Sequence, residues 1–296
     1  MGLLPNEPRL LHPEQEAALT EHFLLPCRRE IEQLFLTLRR QCDPSLSAHK
    51  PLKLGKLYPL GQCLEISQAV VTYLARLDPS TLNGGAAKAY KALQAFLAQG
   101  GSFRQVWGDL RGAYFQNALL LGTLYVDVAN DTVNPAKPPI EILPFTEAQF
   151  YPIADYAHFT RVASRYWQAA LYSNHLFPGL APFFPLLGYT ATGGLQLHSL
   201  SDYMMALTCR QGFAPSQAVL EASPIEPALF DTFNAHCQVI TAGAAMNTAE
   251  QGRQQAIAAC EARRGAADHT NPAMRERAIR VALIINQQLA VLGPVE

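Results

Sequence analysis

Long apolar runs are missing from this chain. No window approaches the ~18 consecutive apolar residues that a membrane-spanning helix needs. The richest stretch, HLFPGLAPFFPLLGY, is short and carries three prolines. The first residues, MGLLPNEPRLLHPEQ, have no basic region leading into an apolar run, so no signal peptide is expected. Asn6 stands where a myristoylation motif needs Ser or Thr. Charge is scarce as well, at 16% of residues, and 23 Lys and Arg against 24 Asp and Glu leave a net charge of -1. That balance gives no electrostatic basis for nucleic acid or an anionic membrane surface as partner. The cysteines, at 27, 42, 63, 209, 237 and 260, are too sparse for a disulfide scaffold and too dispersed for a metal knuckle. Reduced thiols in a cytoplasmic protein are the expectation. GxGxxG, GxxxxGK, HExxH and GxSxG are all absent, which removes the usual dinucleotide, P-loop, zincin and serine-elbow chemistries. His158 and His175 are too far apart on a helix to share an ion, and His198 and His236 lack ligand spacing, so neither metal nor cofactor is expected.

What is present is apolar content, 49% of the residues, enough for a large core. The pattern reads as an α+β fold, predominantly helical, with a small antiparallel sheet in the middle of the chain. Ile66, Val70, Tyr73, Leu74 and Leu77 recur at helical spacing after Cys63, and Tyr90, Leu93 and Phe96 do so before Gly100-Gly101. A helix is also expected between Pro26 and Pro44. From Ser102 to Pro144 the period changes, and FRQVW, LGTLYVDV and PPIEILPF have the β-branched and aromatic content of strands. Asp127 alternates with Leu124, Val126 and Val128 and so points away from the more apolar face. One long helix is expected over Asp155–His175, then a proline-broken aromatic loop, short helices at Ser201–Thr208 and Pro215–Ala222, and longer ones at Pro227–Ala245, Thr248–Arg264 and Pro272–Leu292. Residues 1–200 read as a main α+β domain and residues 201–296 as a helical, bundle-like region packed on it, with one continuous domain as the alternative.

The chemistry concentrates on LYPLGQCLEI. If Cys63 opens a helix, unpaired backbone N–H groups and the positive end of the helix favour its thiolate, and the same groups supply oxyanion donors. A base and an orienting group are then required. His158, in DYAHF, can supply the first, and Asp127 or Asn130 the second. The alternatives are a buried structural cysteine, a His158 bonded to Asp155, and a capping role for Asp127.

A cysteine in GQC at a helix start, followed later by strands that could carry Asp and His, resembles papain-like and transglutaminase-like thiol enzymes. The resemblance covers about a third of the chain and implies acyl transfer or amide hydrolysis on a peptide, protein or small-molecule substrate. It makes Cys63 the nucleophile, His158 the base, and Asp127 or Asn130 the orienting residue. The order Cys, Asp, His and a histidine on a helix depart from the family, which presents histidine at a strand start.

A second cluster lies in VWGDLRGAYFQNALLLG. Trp107, Arg111, Tyr114, Gln116 and Asn117, together with Asp127, are expected to wall a polar substrate pocket, with Arg111 as its anion clamp. The alternative is a local Asp109–Arg111 pair at a hairpin. A reading from a different class is a non-catalytic helical interaction or small-ligand-binding protein, with a homodimer as one form, motivated by the Ala-rich helices after Pro227.

Overall fold

The computed structural model describes residues 2–53, 55–198, 201–222, 225–240 and 248–295. It is a mixed α+β fold, mostly helical, with smaller sheets interspersed. Backbone proximity divides the chain into two compact units, residues 6–152 and residues 2–5 with 153–296. The division expected after residue 200 therefore falls at Pro152/Ile153. Among the described residues no helix is long and apolar enough to cross a membrane.

The first unit opens with α1 (Pro13–Leu19) and α2 (Arg28–His49), then a tight hairpin of β1 (Leu52–Lys53) and β2 (Lys56–Leu57). Helices α3 (Cys63–Ala75) and α4 (Gly84–Ala98) precede β3 (Phe103–Leu110), β4 (Tyr114–Leu121), β5 (Leu124–Asp127), β6 (Glu141–Pro144) and β7 (Phe150–Tyr151). These last five strands form one antiparallel sheet in the order β6-β5-β4-β3-β7. Helix α2 does not stop before Pro44 as expected; the proline lies inside it. Helical positions on both sides of Pro44 are held, since Arg39 is fixed to the sheet's far loop and Leu46 packs on the core.

Leu119, Leu121, Leu124, Val126 and Val128 face α2, α3 and α4, where Phe35 and Phe96 are fully buried. Removing such a ring from water is worth about 1.5–3 kcal/mol. The opposite sheet face carries Val106, Leu110, Ala118, Leu120, Tyr125 and Phe150 in a second cluster, covered in part by Leu10 and Phe145. Covering both faces is why β4 reads as the continuous run ALLL rather than as an alternation.

The second unit contains α5 (Tyr156–Trp167), β8 (Ala170–Ser173), β9 (Leu186–Tyr189), β10 (Leu195–Leu197) and the helices α6 (Asp202–Arg210), α7 (Ala214–Ala222), α8 (Pro227–Cys237), α9 (Ala249–Gly265) and α10 (Pro272–Leu292). The long helix expected over Asp155–His175 ends at Gln168, which adopts a left-handed conformation (φ 52°), and the chain turns into β8. The stretch expected to be a proline-broken loop thus sits between two strands of an antiparallel sheet of order β10-β9-β8. Residues 241–245 of the helix expected over Pro227–Ala245 lie outside the described residues. Asn286 of α10 donates to the Leu197 carbonyl at 3.0 Å and accepts from its N–H at 2.7 Å, which ties the last helix to the sheet edge.

Candidate functional site

Cys63 is the first residue of α3, as the GQC spacing implies. Gly61 makes the entry, at φ +72°, and its N–H donates to the Thr132 carbonyl at 2.9 Å. Gln62 is fully buried; its amide donates to the Lys50 carbonyl at 2.8 Å, and its Oε1 has no partner among the described residues. One helical turn on, Ser67 donates to the Asn117 carbonyl at 3.0 Å, which fixes α3 on β4. The Asn117 side chain then meets the thiol, with Nδ2 donating to Sγ at 3.6 Å.

This setting opposes ionisation. Burial pushes the Cys63 thiol up, the Asn117 amide only partly counters it, and the Asp127 charge adds to the rise. All six cysteines are buried and free of disulfides.

The other residues assigned to catalysis each have partners of their own. His158 belongs to the second unit, where its N–H donates to Asp155 Oδ1 at 2.7 Å and its Nδ1 accepts the Ala154 N–H at 3.3 Å. Asp155 is the N-cap of α5, and His158 takes part in closing that helix end. Asn130 donates to the Pro138 carbonyl at 2.9 Å and staples the turn after β5. Asp127 is fully buried and accepts from the Ala129 N–H (2.8 Å), Gln116 Nε2 (2.7 Å) and the Tyr125 hydroxyl (3.0 Å). Burial nevertheless raises its carboxyl to about 6, because three donors recover only part of the lost hydration.

Strand parity explains why the expected polar pocket is split. Trp107 pairs with Asn117 and Leu119 with Val126, so Trp107 and Asn117 share the face toward α3. Gln116 and Asp127 lie on the opposite face with Tyr114, beside Ala118 and Leu120. Trp107 stacks on Phe115 at 5.2 Å. Arg111 does not pair with Asp109: its guanidinium meets Glu141 at 2.8 Å, from a turn in which Arg111 (φ +60°) and Gly112 (φ +65°) both take the left-handed region. The loop from Leu110 to Tyr114 has three residues, and its left-handed pair suits the twist of the antiparallel strands that it joins.

Sequence reasoning missed the strongest buried polar cluster. Arg39, on the apolar side of α2, is 2% exposed and holds Asp131 through both terminal nitrogens at 2.9 and 3.0 Å. It also donates to the Val128 carbonyl and to Asp43, and Asp43 in turn accepts from the Tyr58 hydroxyl. The Arg39/Asp43 spacing of four was the available signal; the partner 92 positions away was not. Among the described residues no group of three or more His, Cys, Asp or Glu side chains could hold a metal ion. Comparison with protein-family models, with curated proteins and with solved structures finds no match for this chain in any of the three.

Proposed function

We propose that this is a non-catalytic helical interaction protein that self-associates through α10. The carrying observation is the outward side of that helix. Ala278, Ala282 and Leu289 are buried against the second unit, whereas Val281, Ile284 and Val291 are 37%, 53% and 87% exposed. With Gln288 they recur at intervals of three, four and three, the spacing of a helix–helix seam. The seam lies on one side of the helix, so a second copy related by a twofold axis presents the same residues in return. Gln288 at its centre is a polar register mark between apolar neighbours.

Acyl transfer through Cys63 requires a base beside the thiol. The side chain that meets Sγ is the carboxamide of Asn117, and burial opposes the thiolate. Both points support the non-catalytic reading.

Sedimentation equilibrium of the full chain tests self-association. The expected result is a mass that rises with concentration from 32.4 kDa toward twice that value. Ile284→Glu, on an exposed position, should return the monomer; a monomer at every concentration rejects the reading. Alkylation at neutral pH tests the thiol: Cys63 should label no faster than the other cysteines. Preferential labelling of Cys63 would restore the acyl-transfer reading.

A further inference from the structure

Within the second unit, α5, β8 and α7 surround an open cavity of about 360 Å³. Leu171, Leu186 and Val219 give it an apolar floor, and Thr160, Arg161 and Ser173 also line it. Of these three, only Ser173 is engaged, donating to the Val219 carbonyl at 2.7 Å. The Thr160 hydroxyl is shut off from solvent and has no partner among the described residues. Arg161 stands at the exposed mouth, and among the described residues it makes no ion pair or hydrogen bond.

An apolar floor beside one unpaired guanidinium has a definite complement. We infer that this cavity binds a small monocarboxylate with an apolar tail, such as a short or medium acyl acid. The carboxylate takes the planar fork of Arg161 at the mouth, and the tail lies on Leu171, Leu186 and Val219. A single cation matches one carboxylate. A phosphate dianion would ask for more donors than the mouth supplies. Neither the seam on α10 nor the state of Cys63 enters this inference.

Isothermal titration of the full chain with octanoate and with octanol tests it. Octanoate should bind at one site, and affinity should rise by up to about fourfold per methylene from hexanoate to octanoate. Octanol should bind at least tenfold more weakly. Arg161→Gln, at an exposed position, should weaken octanoate about tenfold, leave octanol unchanged and remove most of the salt dependence. Val219→Phe, checked for folding by circular dichroism, should weaken both by filling the floor. Three results would each overturn the proposal: no saturable binding at millimolar octanoate, equal affinity for acid and alcohol, or an octanoate affinity indifferent to Arg161→Gln.

Discussion

The two units bury polar groups by opposite means. The first buries charge: Arg39 against Asp131 and Asp43, and the Asp127 carboxyl beneath three donors. The second buries neutral groups. Asn174 donates to the Phe184 carbonyl, His175 bonds the Leu220 carbonyl through Nε2, and Thr208 meets Ser216, which donates to the Pro182 carbonyl. Charges fasten distant segments strongly but leave a large penalty when a partner is lost, whereas neutral pairs cost less to break. The comparison is measurable because each unit carries one of the two tryptophans, Trp107 in the first and Trp167 in the second. Variants with Trp107→Phe or Trp167→Phe leave a single reporter in each.

The largest effect should come from Arg39→Met. It strands the Asp131 carboxylate and the Val128 carbonyl, and should cost about 3–5 kcal/mol in denaturant unfolding followed at Trp107. An equal shift followed at Trp167 would break the contrast between the units.

Acidity should separate them next. The Asp127 carboxyl is raised to about 6 from 3.8, so its protonated form favours the folded state. The stability it contributes is fully present below pH 3.8 and is lost as pH rises through about 6, by up to roughly 3 kcal/mol. Asp127→Asn should flatten this slope at Trp107. In the second unit burial lowers the His175 and His198 imidazoles, His198 to about 4. The unfolded chain then takes protons that the folded unit refuses, so stability is full above 6.5 and falls as pH drops below it. Slopes of one sign at both tryptophans would contradict these assignments.

Gly252→Ala sharpens the comparison sterically. A Cβ on that residue of α9 would come within 2.4 Å of the His175 carbonyl oxygen, a backbone atom with little room to yield. A loss of about 1–3 kcal/mol is expected at Trp167. A neutral result would show that α9 can slide over β8's exit. The smallest effect belongs to Arg111→Ala. Its pair with Glu141 is partly solvated, and removing it should cost about 0.5 kcal/mol in the unit that the buried Arg39 dominates.

Local chemistry made several elements legible. The span of α10 follows from Asn271 as cap, Pro272 in the first turn and Gly293 just beyond the end. The start of α3 at Cys63 was readable in the same way. The end of α5 was not, because Gln168 takes a left-handed conformation with no glycine to announce it. Pro44 read as a stop, yet Arg39 and Leu46 hold the helix on either side of it.

Of the candidate site, the sequence alone pointed to Cys63 as the residue that opens α3 and to a strand carrying Asp127. Capping, periodicity and turn preferences act over a few residues, so they are written locally. Only the tertiary structure decided what meets the thiol, which anion holds Arg39, and where the unpaired Arg161 finds an apolar floor. Those outcomes depend on strand register and on helix docking. A register shift of one residue would exchange Asn117 for Gln116 at the helix face, and no local pattern in either strand prevents it.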